Sequence, residues 1–437
     1  VTTSSHGDAE SAPRSPLLGL VAVFGSLVVA RLAFMRVMPP GAHSTDIDIW
    51  IHIARVLEAG GNPYNETTLL KYPPLWMIVI FSLERFSRAT GLSLFGTLQL
   101  FFIAADCGIA AGLLALLRRF QVTARIAVVV IGLSLNPVSI LLSCQHGNHD
   151  VLLGLWVLLA VMALVRWRQS GDPVDWLAAC AFLGVGVLQK TVPIVLAPLL
   201  LAGASKLRPA AKALGAGLVV GPALLGLATI YTLGPAGVSA SVFGYRSYAG
   251  FFGFTGLASL VGQDALLPHA TTAFLLVLVA IGAAVARLAS RFDERDLVLA
   301  AFVLLSSIVI FGPGYGPQYA SWFLPLLVAI YPLFGRRFGL LVLVLYGIAT
   351  ATYVVEYALV STQGAFLTWL RPVPWVLQAS ERVGTQGAQT LLRLPLFLAY
   401  VAVFVAACRI LARTRIAPQA ASESAASTNP TSSGALL

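Results

Sequence analysis

Long apolar stretches, each about the length needed to cross the roughly 30 Å hydrocarbon core of a bilayer, dominate the chain. They begin at Pro16 and near Leu92, Thr123, Val151, Trp176, Thr191, Ala211, His269, Leu297, Gln318, Phe338 and Thr390. That pattern predicts about twelve transmembrane helices. The apolar run Tyr72–Phe81 is an exception: it opens on Pro73-Pro74, soon meets Glu84-Arg85, and at about ten residues is too short to cross. Between the first two spans the periodicity changes. From Asp46 to Gly60 the polar residues Asp48, His52 and Arg55 recur at i, i+4 and i+7, with Trp50, Ile53 and Leu57 on the other face. This predicts an amphipathic helix lying along the membrane surface, with carboxylates at its N-terminal end.

The expected fold class is therefore an all-α polytopic membrane protein. Residues 16–413 form one transmembrane domain, and residues 39–91 a long first external loop carrying amphipathic helices. Residues 1–15 and 414–437, rich in Ser, Ala, Thr and Pro, read as disordered cytoplasmic tails. The first span, Pro16–Met38, ends in Arg36 and Pro39-Pro40 instead of a small-residue cleavage site, and reads as a retained signal anchor.

Composition agrees with this class. Of the 437 residues 58% are hydrophobic and 11% charged, against about 25% charged in soluble domains. The net charge of +10 comes without a basic stripe interleaved with aromatics, so no nucleic-acid partner is expected. Cys107, Cys144, Cys180 and Cys408 are too scattered for a disulfide framework or a zinc site. The excess of Arg over Lys and the abundance of Ala suggest a GC-rich bacterial genome.

Charge sets the expected orientation. If Pro74–Phe81 does not cross, Arg118/Arg119/Arg125, Arg166/Arg168, Lys206/Arg208/Lys212, Arg287/Arg291/Arg295, Arg336/Arg337 and Arg413/Arg415 all fall on one side. By the positive-inside rule that side is the cytoplasm. Arg31 and Arg36, at the outer end of the first span, are expected to snorkel to the interface. The segments His43–Thr90, Cys144–Asp150, Gly234–Pro268, Phe311–Tyr319 and Val360–Gly387 then face outward.

Those outer segments hold the unusual chemistry. Asp46 and Asp48 are the candidate catalytic acids, since a helix N-terminus favours an ionised carboxylate; an ordinary N-cap Asp with a solvated neighbour is the alternative. Cys144-Gln145-His146-Gly147-Asn148-His149-Asp150 places two imidazoles and a carboxylate in one turn, suited to phosphate or sugar hydroxyls more than to a metal; a plain hydrophilic turn is the alternative. Lys190, in an almost wholly apolar run, is costly unless it meets an anion, either a lipid headgroup or a substrate phosphate. Tyr245 and Arg246 in one loop, and Gln318 and Tyr319 near Trp322 in another, offer further donors to phosphate and sugar oxygens; ordinary turns with an interfacial aromatic belt are the alternative. Tyr64, Lys71 and Tyr72 sit at rigid proline-flanked corners beside the acidic helix. The sequon Asn65-Glu66-Thr67 reads as accidental.

These residues, in this order, resemble the GT-C superfamily of membrane glycosyltransferases that use polyprenyl-phosphate sugars. Thr45-Asp46-Ile47-Asp48 and Gln318-Tyr319 with Trp322 are similar to segments of GPI mannosyltransferase I. His146-Gly147, and Lys190 with Pro198, resemble the dolichyl-phosphate-glucose-dependent glucosyltransferases, although Asn148 stands where those enzymes carry a second His. The layout resembles the polyprenyl-phosphate-mannose-dependent mannosyltransferases of actinobacteria. The spacing from an acid to an Ala-Arg pair, similar to that in bacterial oligosaccharyltransferase, favours Asp46 over Asp48.

The resemblance implies an inverting transfer of a hexose, mannose first and glucose next, to a lipid-linked or cell-envelope glycan on the outer face of a bacterial plasma membrane. Asp46 would act as base, while Lys190, Arg246 or His146 would stabilise the departing phosphate. The implied partners are the polyprenyl-phosphate sugar, a glycan or glycolipid acceptor and membrane lipids, with the protein a monomer. No cofactor is required; a divalent metal is permitted but not favoured. The rival reading is a transporter or flippase of a polyprenyl phosphate or sugar lipid.

Overall fold

The computed structural model describes residues 16–38, 44–66, 70, 72–233, 250–359, 378, 382 and 385–413. Among them the chain is helical and contains no strand. The helices are α1 (Pro16–Val37), α2 (Thr45–Glu58), α3 (Pro63–Glu66), α4 (Leu75–Thr90), α5 (Leu94–Arg119), α6 (Arg125–Val129), α7 (Pro137–Leu141) and α8 (Asp150–Ser170). They continue as α9 (Pro173–Gln189), α10 (Pro209–Leu233), α11 (Gly253–Leu260), α12 (Leu267–Ala289), α13 (Glu294–Phe311), α14 (Ala320–Leu333), α15 (Arg336–Leu359) and α16 (Gln386–Arg413). Lys71, Tyr245, Arg246, Thr67 of the sequon and both tails lie outside the described residues.

Seven helices are long and apolar enough to cross a membrane, eight if the pair Arg125–Ser134 and Pro137–His146 counts as one broken span. A chain so built is a multi-pass membrane protein. The expectation of about twelve spans is met only in part, and the differences have local causes. Pro173–Gln189 has 17 residues, and Val192–Leu201, with Pro193 and Pro198, winds as a 3₁₀ helix. Pro325 and Pro332 lie inside the 14 residues of α14. In α13 the charged residues Glu294, Arg295 and Asp296 fill the first turn, fastened by a capping box between Asp293 and Asp296. The run after Pro73-Pro74 becomes a 16-residue helix, α4, which buries Trp76, Met77 and Ile80 and is not among the apolar spans.

α13 and α14 are buried almost throughout and form the centre of the bundle with α8. α1, α10 and α12 leave most of their apolar surface uncovered, as the lipid-facing helices of a bundle do. The break at Asn136-Pro137 bends its pair by 48°. Proline cannot donate to the preceding turn, and the Asn136 side chain accepts from the free amides of Val138 and Ser139 instead.

Arg31 does not snorkel. It is fully buried, with Nε donating to Asp106 Oδ2 at 2.7 Å, and with further bonds to the carbonyls of Leu27 and Ser134 and the hydroxyl of Ser139. Ser143 also donates to Asp106. A buried ion pair adds little net stability, but this one fixes α1, α5 and the broken span in one register just below the turn that follows Leu142. α8 joins the two ends of the molecule. Asp150 begins it beside that turn, and Arg168 near its far end donates to the carbonyl of Phe292 at 2.8 Å. Arg119 at the end of α5 bonds Gln169 there. The basic clusters after α5 and α8 and before α13 are thus gathered at one end, opposite the candidate site.

Candidate functional site

The site is built where α2 docks on the turn from Leu142 to Asp150. A π-helical turn, Leu142–His146, ends at Gly147, whose φ of +60° lies in the left-handed region. Ser44, the N-cap of α2, accepts from the amide of Asp46 at 3.2 Å and donates to the carbonyl of His146 at 2.6 Å. Trp50 Nε1 donates to the carbonyl of Gly147 at 3.0 Å. Both ends of the acidic helix's first turns are therefore tied to this one turn.

The result is a specific environment for Asp46. Its Oδ2 lies 3.0 Å from His146 Nε2 and accepts from Asn148 Nδ2 at 2.6 Å. Its Oδ1 accepts no hydrogen bond from the described residues, and the side chain is 24% exposed. Burial alone would raise the carboxyl's pKa. The hydrogen bonds of His146 and Asn148 to the carboxylate outweigh it, leaving Asp46 below its ordinary value of 3.8. One oxygen is thus saturated and the other left open to a proton. Asp48, two residues on, is exposed.

Asn148 does two jobs: its Nδ2 holds Asp46 while its Oδ1 accepts from the amide of Asp150, the first residue of α8, at 2.9 Å. The side-chain amide of Asn148 supplies the donor and the acceptor for these two bonds from one short side chain. On the far side of His146, Nδ1 lies 3.1 Å from the hydroxyl of Tyr353 on α15. Sequence reading missed Tyr353. The available signal was a Tyr and a Glu, Tyr353 and Glu356, three residues apart in an otherwise apolar span.

Asp150 is fully buried and accepts from Lys190 Nζ at 2.6 Å. Lys190 is 13% exposed, and its ammonium also lies 5.5 Å from the ring of Tyr72, 5.4 Å from Tyr319 and 5.0 Å from Trp322. Tyr319 and Trp322 stack at 4.0 Å. This cation lines a cavity of about 210 Å³ with Tyr72, Thr191, Gly312, Gly314, Gln318 and Trp322. His149 does not reach that cavity. It is 0% exposed, stacked on Trp76 at 4.7 Å and edge-on to Tyr72 and Trp50, with both ring nitrogens unbonded. Burial, then the nearby Lys190 charge, hold its pKa well below 6.5, so the ring is neutral at pH 7.

Tyr64 is equally interior; its hydroxyl donates to the carbonyl of Tyr72 at 2.6 Å and so sets that ring's position beside Lys190. Of the predicted residues, the structure brings Asp46, His146, Asp150, Lys190, Tyr72, Gln318 and Tyr319 to one end of the bundle. The four cysteines are free. Among the described residues no cluster of three or more His, Cys, Asp or Glu side chains is placed to hold a metal ion.

Gly147 is the keystone of this docking. A Cβ there would lie 2.0 Å from Cδ1 of Ile47, which is itself fully buried, so that side chain would have to shift within the core. Left-handed strain and overpacking together predict that Gly147→Ala costs roughly 2–4 kcal/mol. A thermal melt of the purified variant would show it, with reduced turnover as α2 is pushed off the turn. A wild-type melt would mean that α2 is not docked as described.

A helical membrane protein with an ionised carboxylate at the mouth of its bundle, hydrogen-bonded on one oxygen and open on the other, has the parts for deprotonating a substrate hydroxyl. In a comparison with known families, the model of glycosyltransferase family 87 matches residues 70–313. That is more than half of the chain, which therefore belongs to this family of GT-C-like membrane glycosyltransferases. The match includes the His146–Asp150 turn and Lys190; Asp46, Gln318 and Tyr353 lie outside it. No curated protein matches the chain.

Proposed function

We propose that the protein is an inverting hexosyltransferase that uses a polyprenyl-phosphate sugar, with mannose the first choice of hexose and glucose the next. The acceptor is a hydroxyl of a lipid-linked or cell-envelope glycan, and the site opens on the extracytoplasmic face of a bacterial plasma membrane. The observation that carries this reading is the turn from His146 to Asp150, which serves two groups at once. On one side it holds Asp46; on the other, Asp150 holds Lys190 at a cavity lined by aromatic rings.

The chemistry follows from that division. The acceptor hydroxyl attacks the anomeric carbon from the face opposite the phosphate and gives its proton to Asp46 Oδ1. The bond from the anomeric carbon to the phosphate oxygen breaks, and the polyprenyl phosphate leaves with the electron pair. Lys190 compensates the charge that grows on it. An Asp with a depressed pKa is a weak base, so it takes the proton as the new bond forms, not before. A positioned base of this kind contributes about 10²- to 10⁴-fold. Tyr319, Trp322 and Tyr72 give the sugar apolar faces on which to stack, and Gln318 gives it a hydrogen-bonding partner.

The test is transfer by the purified full chain in proteoliposomes, with polyprenyl-phosphate mannose and polyprenyl-phosphate glucose supplied separately and a lipid-linked mannoside as acceptor. The expected product carries one added hexose, of anomeric configuration opposite to that in the donor, read by mass spectrometry and linkage-selective glycosidases. Transfer from nucleotide sugars but from neither polyprenyl-phosphate sugar would overturn the donor assignment. Retention of configuration would overturn the mechanism.

A further inference from the structure

The geometry points to Tyr353 as a positioning residue that sets the tautomer of His146 and, through it, the basicity of Asp46. This inference rests on Asp46 as the base and extends that reading by one residue.

Three groups stand in line: Asp46 Oδ2, 3.0 Å from His146 Nε2, and His146 Nδ1, 3.1 Å from the Tyr353 hydroxyl. A neutral imidazole has one N–H and one lone pair. Facing an anionic carboxylate, Nε2 is favoured to carry the hydrogen, and a donor at Nδ1 adds to that preference. Nδ1 is then the acceptor, and the phenolic O–H beside it is the donor. Tyr353 is 1% exposed and His146 8%, so bulk water does not freely replace that donor. The carboxylate receives a second bond on the same oxygen, from Asn148, which leaves Oδ1 as the site of proton uptake.

Three elements meet here: α2, the Leu142–Asp150 turn and α15. The titratable groups they present around His146 are Asp46, His149 and Tyr353. Asp150 and Lys190 stand behind His149, and the buried pair Glu356–Arg393 lies one helical turn beyond Tyr353. Both of these outer pairs are internally neutralised. Among the described residues, Asp46 and Tyr353 stand within hydrogen-bond distance of the two ring nitrogens of His146.

Removing the hydroxyl with Tyr353→Phe keeps the ring in its place. Nδ1 loses its donor, the Nε2–H form loses its advantage, and the bond to Asp46 weakens, which raises the pKa of Asp46. The expected result is a fall in kcat of about tenfold with donor KM nearly unchanged. The acid limb of kcat/KM should move to higher pH by at least about half a unit. A residue that served packing alone would lower kcat or stability without moving that limb.

A second readout does not depend on turnover. Nitrogen-15 NMR of histidine-labelled full chain, with the His146 signals assigned by their loss in His146→Gln, reports which ring nitrogen is protonated. The expected pattern is protonated Nε2 and bare Nδ1 in the wild type, becoming a tautomer mixture in Tyr353→Phe. The inference fails if wild-type His146 carries its proton on Nδ1 or on both nitrogens. It also fails if Tyr353→Phe leaves both the tautomer and the pH profile unchanged. Should the wild type transfer no sugar at all, the proposed function fails by that result, while the NMR pattern still decides the role of Tyr353.

Discussion

Asp46→Asn should reduce turnover by about 10²- to 10⁴-fold, the range a positioned general base supplies. The substitution preserves shape and removes the ability to take a proton. The amide that replaces the carboxylate can still hydrogen-bond the His146–Asn148 turn, so the variant should fold; a thermal melt close to wild type is the control. Asp48→Asn provides the contrast. Asp48 is exposed and is not placed on the turn, and a surface substitution of this kind changes free energies by no more than about 0.5 kcal/mol. Measured side by side as rates of sugar transfer, the two variants should differ by orders of magnitude. Equal losses would mean that the two carboxylates work as a pair; no loss in Asp46→Asn would remove the base from the mechanism. The wild-type rate also has a pH signature. Asp46 acts only when ionised, and its pKa is held below 3.8, so the acid limb of kcat/KM should lie below the ordinary aspartate range.

The candidate acid was legible in the sequence because of its setting. A carboxylate at the head of an amphipathic segment between apolar spans stands out by pattern alone, and α2 forms over Thr45–Glu58 with the predicted face buried at Trp50 and Ile53. The turn carrying His146 was legible for a similar reason: few apolar chains spend seven consecutive residues on such polar chemistry. The partners of these groups were hidden because they lie far away in sequence, inside spans that read as uniformly apolar. Tyr353 meets His146 across 207 positions. Asp106 meets Arg31 across 75, which is why Arg31 read as a residue reaching for the interface when it is a residue with a buried counter-ion. Hydropathy averages over a window and loses single polar residues of this kind. It also marks apolar length without seeing the prolines and caps that shorten α9 and α14.

Lys190 stands on a different footing in the fold than in the sequence. An isolated lysine in an apolar run is costly, and that cost suggested a substrate anion. The protein supplies an anion of its own, Asp150, so burial cost no longer argues for a phosphate. The case for one rests instead on place: the ammonium lines the cavity and has two hydrogens beyond the one given to Asp150.

This changes how Lys190 must be tested. Lys190→Met alone leaves Asp150 fully buried beside an apolar side chain, with its Oδ2 already lacking a partner among the described residues. Breaking a buried pair from one side costs about 3–5 kcal/mol, so the single variant should melt well below wild type whatever Lys190 does for the donor. Activity lost in that variant proves nothing about phosphate. The informative protein is Lys190→Met with Asp150→Asn, which removes both charges together. Its stability should recover most of the loss, because an unpaired buried charge is no longer present. Its catalysis should not recover. Donor KM should rise and kcat fall together, since the missing cation would have served both the bound phosphate and the leaving group, with kcat/KM down by about 10²- to 10³-fold. If the double variant melts and turns over as the wild type does, Lys190 is only the counter-ion of Asp150. The phosphate must then be met by another cation, and Arg246 becomes the residue to test.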